Sequence, residues 1–163
     1  MDIKVNKSEV LLSGLLNEEA NLDKIIAAMN SAATASNNQE MIVNFEHLVR
    51  CNSIGILEWL RAISNVTHRI IYRNCPVFLT EQFSSVSQMI TKQCSVESFY
   101  ARYHCSEADE FMVHKLRVGT DVPLLPDYND FEVPNLIIHG KIFEPDFIPS
   151  DYFSFLATSP EEK

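Results

Sequence analysis

Apolar positions in the first ninety residues recur in two rhythms. Asp2 to Val5 and Glu9 to Ser13 read as short strands around the polar Asn6-Lys7-Ser8 turn, which predicts a hairpin. Leu22, Ile25, Ile26 and Met29 then recur at three- and four-residue spacing, the stripe of a helix that Asn17 or Asn21 can cap. The polar run from Ser36 to Glu40 ends it. Met41 to Phe45 is a compact run of strand formers, as expected of a strand buried on both sides. A second helix is expected from about Ile54 to Val66, with Ile56, Leu57, Leu60 and Ile63 on one face and Trp59 at its margin. Arg69 to Arg73 makes a further strand. Pro76 opens a third helix carrying Phe83, Val86, Met89 and Ile90. Strand and helix in alternation predict an α/β fold, a sheet covered by helices.

Beyond residue 92 the rhythm changes. Ser98 to Tyr103 and Phe111 to Val118 are strand candidates able to pair as a hairpin, the second alternating Met112, His114 and Leu116 against Val113, Lys115 and Arg117. Asp121 to Pro134 reads as a surface loop, and Asn135 to Phe143 resumes a strand. Tyr152, Phe153 and Phe155 are expected to dock on the first part or on the hairpin, since an isolated tail with that much apolar surface would aggregate. Six of the seven prolines lie here, which favours short extended pieces joined by turns. Two units follow, 1–92 and a small β-rich extension, 93–163; neither contains an internal repeat.

At 163 residues the chain can bury a core without disulfide or metal support. Thirteen basic against 22 acidic residues give a net charge of -9, the wrong sign for neutralising nucleic-acid phosphates. The acidity is concentrated in residues 101–163, where 5 basic side chains face 12 acidic ones, against 8 and 10 in residues 1–100. No apolar run has the length of a membrane span. The stretch Val10 to Leu16, broken by Ser13 and Gly14, is unlike a secretory signal, so a cytoplasmic protein is expected. Cys51, Cys75, Cys94 and Cys105 lack paired spacing and read as reduced thiols. Four glycines leave no phosphate-cradling loop.

Three segments carry a family resemblance. They are Leu11-Leu12-Ser13-Gly14-Leu15-Leu16, Ile42-Val43-Asn44-Phe45 and Cys51-Asn52-Ser53-Ile54-Gly55-Ile56. With the order of strands and helices, they make residues 1–92 resemble a STAS domain, the fold of bacterial anti-sigma factor antagonists. The resemblance implies a mixed sheet covered by helices and a role exercised by contact rather than by turnover, with no cofactor. The family's signature is Asp-Ser-Ser-Gly-Leu at a strand-to-helix turn, whose helix dipole tolerates a phosphorylated serine. Carried over by position, the acceptor serine falls on Ile54 and the acidic residue on Asn52. The phosphoswitch is therefore expected to be lost, leaving Asn52, Ser53, Ile54, Gly55, Leu57 and Glu58 as a ridge for a protein partner. That partner is expected to be an anti-sigma kinase-like regulator or another STAS-containing assembly. Ser53 keeps a hydroxyl one residue earlier, either as a displaced phosphorylation site or as a helix cap.

The extension resembles a zinc ribbon, through Ser98 to Cys105 and through Phe143-Glu144-Pro145-Asp146 followed by Tyr152 to Leu156. A structural zinc needs four Cys or His ligands. Only Cys105 and His139 remain, with Ala108 and Leu136 at the other two positions; recruiting His104 or His114 would raise the count, but adjacent side chains on a strand point to opposite faces. A ribbon held by apolar packing, without metal, is expected.

Enzyme chemistry has weaker support. Cys105 beside His104, or Cys75 with His68, supplies residue types for a thiol hydrolase but no third orienting group. Asp109-Glu110 and Glu161-Glu162 read as solvated surface, and Asp121, Asp127, Asp130 and Glu132 lack the spacing of a calcium loop. A small-ligand module, for nucleotide or lipid, is the alternative to a protein-binding one. Homodimerisation through an uncovered sheet face or the extension is also open.

Overall fold

The computed structural model describes residues 1–37 and 40–157. The first sheet has the order β1-β2-β3-β4-β5, built from Asp2–Asn6, Glu9–Leu16, Glu40–Cys51, Arg69–Arg73 and Cys94–Val96. β1 and β2 form the expected antiparallel hairpin, with Lys7 at φ 53 in its turn, and the remaining neighbours run parallel. Helices α1 (Leu22–Ala35), α2 (Ser53–Ser64) and α3 (Val77–Ser85) make the three crossovers. The fold is α/β, with a mixed sheet and covering helices. No helix among the described residues is long and apolar enough to cross a membrane.

Local chemistry accounts for most element ends. Asn21 caps α1, its Oδ1 accepting from the Lys24 N–H at 2.9 Å. At the other end Ser36 caps the helix; positions 38 and 39 of the polar run lie outside the described residues. Four expectations change. β3 continues six residues past Phe45: it pairs with β2 as far as Cys51 but with β4 only as far as Asn44. Its tail is thus open on one side, and exposed Glu46 and His47 interrupt the apolar pattern. On α2, Trp59 stands at the centre of the buried face and Leu57 points outward. The indole N–H donates to the Tyr72 hydroxyl at 3.2 Å, and that hydroxyl donates to the Met89 carbonyl at 3.1 Å, so both polar tips are satisfied inside the core. The third helix stops at Ser85, and Ser87–Met89 forms a separate 3₁₀ turn. Finally, β5 lies beyond residue 92 and belongs to the first sheet.

The second sheet is antiparallel, in the order β7-β6-β9-β8, from Glu110–Arg117, Ser98–Cys105, Lys141–Pro145 and Leu136–Ile138. The single strand expected over residues 135–143 is instead a hairpin. His139 and Gly140 both take positive φ, 50° and 78°, the geometry of a two-residue hairpin turn. α4 (Pro149–Tyr152) and a 3₁₀ turn at Ser154–Leu156 close the chain.

The aromatic end docks on both parts. Phe153 is fully buried among Phe99, Tyr128, Phe131 and Phe147, while Phe155 meets Phe83 of α3 edge-on at 5.3 Å. The Tyr152 hydroxyl donates to the Tyr100 carbonyl at 2.8 Å. A polar joint links the sheets where β4 ends. The Asn74 N–H donates to Ser98 Oγ at 3.0 Å, and its amide donates to Asn44 Oδ1 at 3.1 Å. Asn44 in turn donates to Glu9 at 2.8 Å, so this buried row is satisfied. One apolar core runs from Val10 to Leu156.

Candidate functional site

The turn from β3 into α2 is built by three residues with different tasks. Asn52 is the cap. Its Oδ1 accepts from the Gly55 N–H at 2.8 Å, its amide donates to Glu18 Oε2 at 2.7 Å, and its own N–H donates to the Leu16 carbonyl at 3.1 Å. The carboxyl of Glu18 is held below its ordinary range by a backbone N–H and by this amide. One side chain thus ties α2 to the loop after β2.

Gly55, expected on the ridge, is buried. A Cβ there would stand 1.9 Å from the Leu16 carbonyl oxygen and 2.7 Å from the Asn17 nitrogen, so the helix can approach β2 only without a side chain. It sets the ridge's position and cannot belong to a contact surface. Ser53, the residue expected to serve as helix cap if not as a phosphorylation site, is instead the first helical residue; Asn52 holds the cap, and the exposed Ser53 hydroxyl has no partner among the described residues.

Beside exposed Asn52 and Ser53, two apolar side chains face outward. Ile54 is 50% exposed and Leu57 46%, three residues apart on one side of the first turns of α2. Glu58 is half-buried and pairs with Arg61. Two recesses flank the turn. One, of about 260 Å³, lies towards α3 and is lined by Arg50, Ser53, Phe78 and Gln82; the other, of about 240 Å³, lies towards β2 and is lined by Leu15, Asn17 and Arg50. Burial pushes the Cys51 thiol up, against a smaller opposing pull from Arg50, so it stays protonated at neutral pH.

The other candidate groups are placed apart. Cys105 is buried on the inner face of β6, whereas His104 points outward, stacked on Phe111 at 4.4 Å and 3.3 Å from Asp109. Cys75 and His68 lie beyond opposite ends of β4, and burial drives the Cys75 thiol well above its ordinary range. His139 sits on an exposed turn tip. Asp121 and Asp127 accept backbone N–H groups of Arg117 and Asn129, and Glu110 pairs with Lys141. No three His, Cys, Asp or Glu side chains form a metal-holding group among the described residues. Glu161 and Glu162 lie outside the described residues.

Comparisons with known proteins give little beyond this geometry. No family model matches the chain, and no curated protein matches it. Among solved structures, the anti-sigma factor antagonist SpoIIAA in its unphosphorylated form aligns at 28% identity, covering 45% of this chain and 71% of that one, with a TM-score of 0.30. At that score the likeness carries no weight for the fold, which rests on the chain's own strand order and crossovers.

Proposed function

We propose that this chain is a non-catalytic, STAS-like interaction module of a bacterial, cytoplasmic regulatory system, and that it binds its protein partner through the start of α2. One observation carries the reading. Where the Asn52 side chain and Gly55 are consumed in holding the turn, Ile54 and Leu57 remain half-exposed on it, two unspent apolar side chains on a helix start fixed from beneath. Apolar side chains on a rigid element suit the desolvated core of a protein interface, which is more apolar than the surrounding surface. The contact set is Asn52, Ser53, Ile54, Leu57 and Glu58, and the partner class is a histidine-kinase-like anti-sigma regulator or another STAS-containing assembly. The extension acts as a ribbon-like flank without metal.

In this reading the partner is held without a phosphate toggle, since the position expected to carry the acceptor is Ile54. Incubation with a cognate kinase and ATP is expected to leave Ser53 unmodified by mass spectrometry. Stoichiometric phosphate there would restore the switch. The experiment for the module itself is affinity purification from the native host with the wild-type chain and with Ile54→Asp. A protein retained by the first and lost by the second supports the reading; equal retention refutes the surface. A melting temperature raised by nucleotide or lipid, with no retained protein, would favour the ligand-binding alternative.

A further inference from the structure

We propose that the open edge of β7 pairs with the same edge of a second copy of this chain, antiparallel about a two-fold axis at Val113, so that two four-stranded sheets join into one. The ladder with β6 fixes which way the backbone groups of β7 face. The Val118 N–H donates to the Glu97 carbonyl at 3.0 Å, and the register pairs Arg117 with Ser98 and Phe99 with Leu116. In an antiparallel ladder, hydrogen-bonded pairs alternate, so Leu116, His114 and Met112 bond to β6. The N–H and C=O groups of Phe111, Val113 and Lys115 therefore point away from it. Among the described residues none of these groups has a backbone partner.

Arg117, next in the outward row, is different. Its N–H is held by the Asp121 carboxylate at 2.8 Å, and its carbonyl accepts from the Asp121 and Val122 N–H groups at 2.9 and 3.2 Å. The turn after β7 thus seals one end and leaves three residues open. No proline or bulge shields them, and Phe111 and Val113 are 62% and 54% exposed. Such an edge is a template for another strand. The opposite edge of this sheet, β8, has only three residues.

The charges identify the strand that fits. β7 is entered through Asp109 and Glu110 and left through Lys115 and Arg117, so it is acidic at its start and basic at its end. Antiparallel pairing with itself brings unlike ends together; parallel pairing would bring like ends together. Centred on Val113, the pairing satisfies all three outward N–H and all three outward C=O groups of each copy. It sets Phe111 opposite Lys115 of the second copy, a cation beside an aromatic ring, and Asp109 opposite Arg117 of the second copy. Shifting the pair towards Arg117 would require its N–H, which Asp121 already occupies.

Sedimentation equilibrium across a wide concentration range is expected to give a wild-type mass twice the 18.6 kDa of one chain. Val113→Pro removes only an N–H that the single chain does not use, and proline is tolerated on an edge strand, so this variant is expected to be monomeric with an unchanged circular dichroism spectrum. Val113→Glu, which sets two like charges face to face, is expected to behave the same way. The register is read by oxidation. Val113→Cys should link two copies, because hydrogen-bonded neighbours stand about 5.5 Å apart at Cα, within disulfide reach. Lys115→Cys should not, its counterparts being roughly 13 Å apart along the strands. A wild-type chain that stays monomeric throughout, a dimer that survives both Val113 substitutions, or linkage at position 115 in preference to 113 would overturn the proposal.

Discussion

Gly55 and Asn52 show how few atoms position the proposed contact surface. Adding one carbon at Gly55 drives it into the Leu16 carbonyl, a backbone atom that cannot swing aside, so α2 must lift from β2. Gly55→Ala is expected to cost about 3 kcal/mol, the upper end of ordinary overpacking, seen as a lower urea midpoint at constant slope. Asn52→Ala removes the cap and the link to Glu18 and should cost about 1 kcal/mol. Ser53→Ala should be nearly silent in the same assay, because Asn52 and not Ser53 caps the helix. A loss at Ser53 as large as that at Asn52 would contradict this division of roles. The turn itself was legible in the sequence, since an Asn-Ser pair before an apolar period and a lone glycine both punctuate a chain. That Asn52 and not the expected Ser53 holds the cap was not, because Asn and Ser cap helices about equally well.

Among the elements, legibility followed how many neighbours each one has. β4, paired with β3 over its whole length and with β5 from Ile70 to Tyr72, spans the same residues as the strand expected from its apolar run, whereas the tail of β3 loses its second neighbour after Asn44 and with it the alternation that marks a strand. The β8–β9 hairpin was missed because His139-Gly140 stands where Asn-Gly would have announced the turn. Trp59 was misplaced because the helical period does not know that Tyr72 waits below to accept its N–H. The docked end was foreseen in kind, as apolar surface needing cover, but its seat between α3 and β6 depends on contacts distant in sequence. Phe153→Ala should therefore destabilise the chain by about 3–5 kcal/mol, the range for a buried phenylalanine, measured by chemical unfolding. A loss near zero would mean that the end is not part of the core.

At the scale of the whole molecule, the shared core makes an alkaline prediction. Burial pushes the phenols of Tyr72 and Tyr152 well above their ordinary range. Above about pH 10 the unfolded chain gives up these protons while the folded chain keeps them, so stability held at lower pH is lost as pH rises, by up to about 1.4 kcal/mol per pH unit for each phenol. Tyr152→Phe should flatten that decline in a series of melting curves, whereas an unchanged slope would place this phenol in water. The claim on which the functional reading stands is tested most directly by hydrogen exchange on the chain alone and with its retained partner. Ser53 and Ile54 open α2, where backbone N–H groups lack partners within the helix and exchange fast. The account expects exchange over residues 52–58 to slow on binding, with the β3–α2 turn at the centre of the footprint. Unchanged exchange there, with protection confined to another face, would contradict it.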